Sequence, residues 1–246
     1  MPDETKLHNI QMGGGTLVQI FKLPQQMIDY LWERIDIAKK ESICYKNTLS
    51  YIPKVSHSYK LEDPSKLIIR NLYEILFNPV DNPKMFEFIT KEIMQVYSRS
   101  NYENLTIDLE PYLSGLWVNI QKKGEFIPLH SHGGMFSFVI WMDIPYHYKD
   151  ESKLPFAESG DKDPYGGNFT FATASAVNRG MVEYIIKLSP EKNGYCCFFP
   201  GDLSHQVYPF YTSDKDRISI SGNIHYRPRK PTPPPVYQFP FHMSET

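Results

Sequence analysis

Six short runs rich in β-branched and aromatic residues follow one another through the second half of this 246-residue chain. They are Tyr112 to Gln121, Met135 to Ile144, Asn168 to Ala172, Val182 to Leu188, Tyr195 to Phe199 and Arg217 to His225. Clusters of Pro, Gly, Asn and Asp separate them, and such clusters favour turns. This many short strands are typical of an antiparallel barrel or jelly roll. The pattern predicts a mainly β core with some α-helix, the core running from residue 105 to residue 226.

Residues 1–104 show a different pattern. Thr16 to Phe21 predicts one strand, and a helix is expected after each of Pro24, Pro64 and Pro83. Proline suits the first turn of a helix, and apolar residues recur at three- and four-residue spacing in each segment. We expect this N-terminal strand and its helices to pack on the barrel within the same domain.

Two further segments interrupt or follow the predicted strands. The polar insert from Lys149 to Gly166 predicts a long loop, and long loops in compact domains often bind ligands or act as lids. Residues 227–246 hold six prolines, which cannot continue a sheet, and predict a Pro-rich C-terminal tail.

Composition narrows the class of protein. The net charge is −2 without a basic block, so nothing indicates nucleic-acid binding. Three cysteines, of which Cys196 and Cys197 are adjacent, do not form a disulfide framework and favour a reducing compartment. We expect these two to pack in a strand. No charged and apolar leader opens the chain, and no apolar run could cross a bilayer, which predicts a cytoplasmic protein without a membrane partner.

The candidate chemistry begins at His130 and His132, which stand one residue apart just before an apolar run. In a strand, residues i and i+2 lie on the same face, so both imidazoles can point at one spot. Such a pair is a two-point clamp for a transition metal. His205, after a strand and a turn, is the best candidate for a third ligand. The alternative is that His130 and His132 are loop histidines that bind nothing.

Several local motifs occur in a fixed order around these histidines. They are Trp117-Val118-Asn119, His130-x-His132, Gly166-Gly167-Asn168, Phe198-Phe199-Pro200-Gly201-Asp202, His205 and, twelve residues later, Arg217-Ile218-Ser219. In order and spacing the set resembles the Fe(II)- and 2-oxoglutarate-dependent oxygenases. It looks closest to the branch with a His-x-His signature found in bacteria and their phages. The resemblance covers roughly Trp117 to Ile224.

The resemblance implies a double-stranded β-helix, which is a cupin-like jelly roll, with helices on one side and a metal in its open mouth. It implies Fe(II), 2-oxoglutarate as cosubstrate and O₂. His130 matches the first ligand of the family and His205 the distant one, while His132 stands where a carboxylate is usual. Asp143, Asp202 and Glu125 are alternative carboxylate ligands.

By the same resemblance, Arg217 matches the basic residue that pairs with the distal carboxylate of 2-oxoglutarate. A guanidinium can hold a carboxylate through two hydrogen bonds. Ser219 shares its face of the strand, and Asn119, Tyr112 and Ser137 are further candidates for the same pocket. The alternative for Arg217 is a charge at the strand edge, paired with Asp214 or Asp216.

The implied reaction is hydroxylation of an unidentified small-molecule or peptidyl substrate, with release of succinate and CO₂. A second hypothesis is a three-histidine cupin dioxygenase or isomerase that does not use 2-oxoglutarate. A third is a jelly-roll binding module without catalysis. The sequence leaves the possibility of a homodimer open.

Overall fold

A computed structural model of the protein describes residues 7–41, 57–98, 109–157, 165–174 and 180–228. The helices are α1 (Gln25–Glu41), α2 (Leu67–Leu76), α3 (Pro83–Ser98) and α4 (Tyr148–Glu151). The strands are β1 (His8–Gln11), β2 (Leu17–Lys22), β3 (His57–Lys60), β4 (Leu109–Gln121), β5 (Ile127–His130), β6 (Phe136–Asp143), β7 (Phe169–Ala174), β8 (Met181–Ile186), β9 (Tyr195–Pro200), β10 (His205–Val207) and β11 (Arg217–Pro228).

The strands form two sheets. Seven strands make the larger sheet in the order β1-β2-β9-β6-β11-β4-β3, and four make the smaller one in the order β5-β10-β7-β8. Every strand pair that the structure describes is antiparallel. From β4 onward, successive strands go mostly to opposite sheets, which is the winding of a double-stranded β-helix. The prediction of a mainly β jelly roll flanked by helices is confirmed.

Side-chain alternation along β6 explains the two layers of the core. Phe136, Phe138 and Ile140 are buried against the helices, whereas Val139 and Trp141 are buried between the sheets. The period of two in a strand makes this division. β9 divides in the same way, with Cys196 on the helical side and Cys197 between the sheets, so the expected packing role of this pair is confirmed.

The three long helices cover the outer face of the larger sheet. Helix α1 buries Met27, Leu31, Ile35 and Ala38, which recur at three- and four-residue spacing as predicted. Helix α2 begins at Leu67 and not directly after Pro64. The side chain of Asp63 accepts hydrogen bonds from the backbone N–H groups of Leu67 and Ile68, both at 3.0 Å, and this caps the helix.

The polar insert is more ordered at its start than a long loop. Its first residues form α4, and the fully buried Glu151 accepts hydrogen bonds from the backbone N–H groups of Tyr211 (2.9 Å) and Thr212 (2.8 Å). A buried carboxylate needs such donors, which ties the insert to the barrel end. The remainder of the insert, 158–164, lies outside the described residues. Of the predicted tail, 227–246, the first two residues belong to β11 and the rest, from residue 229, also lies outside the described residues.

Two edge strands were not expected from the sequence. β1 precedes the one strand predicted in this region and pairs with β2, while β3 pairs with β4. In the ranges that the structure describes, no helix is both long enough and apolar enough to cross a membrane.

Candidate metal centre

The fold brings His130 and His205 directly opposite each other. His130 ends β5 and His205 begins β10, and the two residues are cross-strand partners in the smaller sheet. His132 lies two residues past β5, where its backbone N–H donates to the carbonyl oxygen of Gly201 at 2.7 Å. The turn that delivers His205 is therefore hydrogen-bonded to the loop that carries His132.

The ligand atoms of the three side chains converge. One ring nitrogen of each of His130, His132 and His205 lies within 4.8 Å of those of the other two. Nε2 of His132 and Nε2 of His205 are 3.2 Å apart. Two imidazoles at adjacent positions around one ion, each with a metal–nitrogen bond of about 2.1 Å, would place their nitrogens about 3 Å apart. The three side chains therefore fit a single transition-metal ion.

Backbone carbonyls fix the tautomers of two of these rings. Nδ1 of His130 lies 2.8 Å from the carbonyl oxygen of Pro128, and Nδ1 of His205 lies 2.9 Å from that of Leu203. A carbonyl can only accept, so Nδ1 carries the proton in both rings and Nε2 keeps its lone pair. Metal-binding histidines are commonly oriented in this way by an acceptor on the other nitrogen.

Aromatic rings surround the centre. The ring of His205 lies 4.9 Å from Phe199, 5.4 Å from Phe169 and 6.2 Å from Phe171, and that of His132 lies 5.5 Å from Trp117, measured between centroids. Burial lowers the pKa of all three histidines, to about 4 for His132 and well below the ordinary value for His205. All three are therefore neutral at pH 7, the form that binds a metal.

These pKa shifts predict how the metal-free protein responds to acid. Below pH 6.5 the unfolded chain protonates its histidines while the folded chain resists, so the free energy of unfolding should fall as the pH drops from about 6.5 toward 4. Urea unfolding at pH 7, 6 and 5 measures this. In a His132→Asn variant, the free energy of unfolding should fall less steeply with decreasing pH. The same pH dependence in this variant as in wild type would contradict the lowered pKa of His132.

Two glycines allow the loops of the centre to approach each other. A Cβ on Gly201 would lie 2.0 Å from the carbonyl oxygen of Gly134, which is backbone and cannot rotate away. Gly201 also donates its N–H to the carbonyl oxygen of Met135 at 3.0 Å. The turn before His205 can therefore pack against the His132 loop only when residue 201 lacks a side chain.

Gly201→Ala should push these two loops apart. We expect a loss of about 1–3 kcal/mol in the free energy of unfolding, as for other overpacked sites, and a weaker affinity for Mn(II). Gly133→Ala is the matched control, because a Cβ there meets no atom within 4 Å. Thermal unfolding and Mn(II) titration of both variants check this, and equal behaviour of the two would contradict it.

The inner face of β11 is polar. Ile218 and Ile220 pack on the helical side, so Arg217, Ser219, Ser221 and Asn223 face the space between the sheets. Ser221 is the cross-strand partner of Trp117, which contacts His132. Ser137 pairs with Phe199, which contacts His205, and its hydroxyl donates to Oδ1 of Asn223 at 2.9 Å. Ser137, Ser221 and Asn223 therefore lie at the level of the histidines.

Asn119 and Ser219 are cross-strand partners farther along this face, between the level of the histidines and Arg217. Asn119 is buried, and its Oδ1 accepts a hydrogen bond from Ser58 at 3.1 Å. The structure thus brings Ser137, Asn119 and Ser219 onto one inner surface with Arg217, and their role in binding stays a prediction.

Arg217 is 2% exposed, and the groups that its guanidinium hydrogen-bonds are neutral. It donates to the hydroxyl of Tyr146, to the side-chain oxygen of Gln121 and, at 3.1 Å, to the carbonyl oxygen of Gly167. The rings of Tyr146 and Phe210 lie 5.8 and 5.7 Å from it. Burial raises the pKa of Tyr146, so this partner is a neutral phenol at pH 7.

No carboxylate among the described residues forms an ion pair with Arg217. Asp214, one of the two partners considered from the sequence, pairs instead with Lys123 at 2.9 Å. A fully buried cation with neutral partners is unusual, because buried charges are ordinarily paired. The surroundings of Arg217 therefore suit an anion supplied from outside the chain.

Other residues considered from the sequence lie elsewhere. Tyr112 stacks on His225 at 5.9 Å beneath Arg227, beyond a bulge in the pairing of β11 with β4, and lines a separate groove of about 930 Å³. Within the part of the chain that the structure describes, the only group of three metal-binding side chains is the histidine triad. Asp143, Asp202 and Glu125 do not join it.

Three residues that contact the histidines or Arg217 are not among the site residues predicted from the sequence. Trp117 and Gln121 share the parity of Asn119 on β4, so alternation along that strand could have identified both. Tyr146 follows β6 in an irregular segment, where no periodic pattern indicates which way a side chain points.

Comparisons with known proteins address the same region. Residues 115–223 match the model of a family described as "Putative 2OG-Fe(II) oxygenase". A search of curated proteins gives no significant match.

Among solved structures, a prolyl-4-hydroxylase from Pseudomonas putida is 14% identical, with a TM-score of 0.42 over 86% of this chain and 92% of that one. A 2OG-Fe(II) oxygenase family protein from Burkholderia pseudomallei is 15% identical, with a TM-score of 0.41 over 84% of each chain. A Trichoplax adhaerens prolyl hydroxylase, solved with a peptide of hypoxia inducible factor, is 9% identical, with a TM-score of 0.45 over 85% of this chain and 82% of that one.

The matched segment begins on β4, ends on β11 and contains the three histidines and Arg217. The fold over this segment is the double-stranded β-helix that the resemblance implied. Residues 115–223 of this chain are therefore similar to the 2OG-Fe(II) oxygenase family.

Proposed function

We propose that the protein is an Fe(II)- and 2-oxoglutarate-dependent dioxygenase in which His130, His132 and His205 hold the iron. The observation that carries the proposal is the convergence of these side chains within the family segment, with Nε2 of His130 and of His205 left free by the carbonyls behind them. Three imidazoles suit Fe(II), although they also suit Zn(II) and other divalent metals.

In this proposal Arg217 binds the distal carboxylate of 2-oxoglutarate. Ser221, at the level of the histidines, is four residues from Arg217 on the same face, or about 13 Å along the strand. An extended five-carbon diacid and an arginine side chain can together bridge that distance. Tyr146 and Gln121 orient the guanidinium, and Ser219 lies between the two ends of the site.

The bound iron and 2-oxoglutarate supply the oxidising chemistry with O₂, giving succinate, CO₂ and a hydroxylated product. The protein positions the groups and excludes water. Phe169, Phe171, Phe199 and Trp117 make the histidine end apolar. We propose a small-molecule or peptidyl substrate and a cytoplasmic location, with a homodimer as an open alternative to a monomer.

The absence of a carboxylate from the ligand group favours one second candidate, a three-histidine dioxygenase or isomerase that does not use 2-oxoglutarate. Arg217 would then bind a carboxylate of the substrate.

Substrate-independent turnover distinguishes these candidates. The purified protein, loaded with Fe(II) and supplied with O₂ and 2-oxoglutarate, should form succinate slowly, and His205→Ala should form none. Succinate is measured by mass spectrometry against a metal-free control. Metal binding without succinate formation or 2-oxoglutarate binding would favour the second candidate.

A further inference from the structure

We infer that His132 makes the metal centre depend on its cosubstrate for charge balance, so that metal and 2-oxoglutarate bind with strong mutual reinforcement. This inference rests on the proposed function and concerns what an imidazole at position 132 does in place of a carboxylate. It identifies His132 as the residue that sets the site's preference for an anionic chelator.

The ligand group carries no negative charge of its own. Because Nδ1 of His130 and of His205 donates its proton to the carbonyl of Pro128 or Leu203, Nε2 of each ring is a neutral metal ligand. No carboxylate in the described ranges belongs to the ligand group. A divalent ion held by three neutral imidazoles keeps its full charge of +2. The usual set of two histidines and one carboxylate would reduce that charge to +1.

Aromatic side chains surround the histidine end of the site. The aromatic rings around His132 and His205 provide little dielectric screening, so charge at this end is not well solvated. At the other end of the same inner face, Arg217 adds a buried positive charge with neutral partners. The buried carboxylate of Glu151, which acts on Tyr146, offsets part of this charge, but it accepts hydrogen bonds from the backbone N–H groups of Tyr211 and Thr212 and does not pair with the guanidinium.

A metal-loaded site would therefore hold positive charge at both ends until a dianion enters. 2-Oxoglutarate neutralises both, because its 2-oxo acid end chelates metals and its distal carboxylate can reach Arg217. Coupling between two ligands is reciprocal. 2-Oxoglutarate must therefore tighten metal binding by the same factor by which the metal tightens 2-oxoglutarate binding.

The test measures the dissociation constant of Mn(II), used as an air-stable stand-in for Fe(II), with and without saturating 2-oxoglutarate. For each protein, the coupling factor is the ratio of the Mn(II) dissociation constants without and with 2-oxoglutarate. We expect this factor to be about 10- to 100-fold larger in wild type than in His132→Asp, which lies within the usual range of coupling between ligands. His132→Asp should bind Mn(II) alone more tightly than wild type does. Titration calorimetry in both orders of addition checks the reciprocity.

Two control variants isolate the cause. Ser131→Asp adds the same charge on an exposed neighbour that is not a ligand, and should leave the wild-type coupling unchanged. His132→Asn removes the imidazole without adding charge, and should bind Mn(II) weakly yet keep the strong dependence on 2-oxoglutarate. It also supplies a test if His132→Asp fails to fold.

A second probe separates the two ends of the site. 2-Oxobutyrate has the same chelating end but lacks the distal carboxylate. Its coupling to Mn(II) should therefore also be stronger in wild type than in His132→Asp. Equal coupling in wild type and His132→Asp, with Mn(II) bound in both, would overturn the inference and leave the proposed function intact. Absence of Mn(II) binding under all conditions would instead overturn the proposed function.

Discussion

His130→Ala and His205→Ala should each abolish stoichiometric binding of Fe(II) or Mn(II). Each removes one of three convergent nitrogens, and the remaining pair would have to hold the ion alone. A change of one ligand commonly lowers metal affinity by orders of magnitude, since outer-shell changes alone lower it about 10- to 100-fold. Equilibrium dialysis followed by metal analysis measures the effect.

The two variants should differ in stability. His205 is buried among phenylalanine rings, so its truncation leaves a cavity and lowers the free energy of unfolding, whereas His130 is less enclosed. His130→Ala therefore reports on the metal with less disturbance of the fold. His57→Ala, at an exposed position on β3, is the matched control and should keep full occupancy. Full occupancy in His130→Ala would remove it from the ligand set.

Arg217→Ala should weaken 2-oxoglutarate binding by about 2–4 kcal/mol, or about 30- to 1,000-fold, as expected when one partner of a buried charge-assisted pair is removed. Arg217→Lys should recover only part of this, because an ammonium cannot reproduce the planar pair of hydrogen bonds. Titration of the anaerobic Fe(II) protein with 2-oxoglutarate measures both.

Arg217 also holds Tyr146 and Gln121 in place, so its removal will lower stability as well. A purely structural role would weaken 2-oxoglutarate and 2-oxobutyrate alike. The proposed role predicts that only the ligand with a distal carboxylate loses affinity, while Mn(II) binding changes little. Unchanged 2-oxoglutarate affinity in Arg217→Ala would shift weight to the three-histidine cupin alternative.

Strands and helices with a regular apolar pattern could be predicted from the sequence. Helix α1 buries the residues that its period indicates, because a single face of it contacts the core, whereas β6 is buried on both faces and stands out as a continuous apolar run. β10 could not be recognised, since three residues are too few to show alternation and its pairing with β5 and β7 alone defines it as a strand. The edge strands β1 and β3 expose part of both faces and give an equally weak signal.

The candidate site also has a part that could be predicted from the sequence and a part that could not. His130, His132 and His205 could be proposed from spacing, and the inner face shared by Arg217 and Ser219 follows from strand parity. The environment of Arg217 could not be derived, because Tyr146 and Gly167 come from irregular segments far apart in the chain. Tyr112 is a candidate for the same pocket from the sequence, but it lies beyond a bulge and three residues before Gly115, the partner of Asn223.

In the proposed site, three imidazoles hold the metal and Arg217 holds the far end of 2-oxoglutarate. A crystal structure of the protein grown without oxygen, with Mn(II) and 2-oxoglutarate, tests it most directly. The account predicts one ion bound by Nε2 of His130, His132 and His205, and a dicarboxylate that reaches from that ion to the Arg217 guanidinium. An ion bound by a carboxylate of the chain in place of His132, or a dicarboxylate that does not contact Arg217, would contradict it.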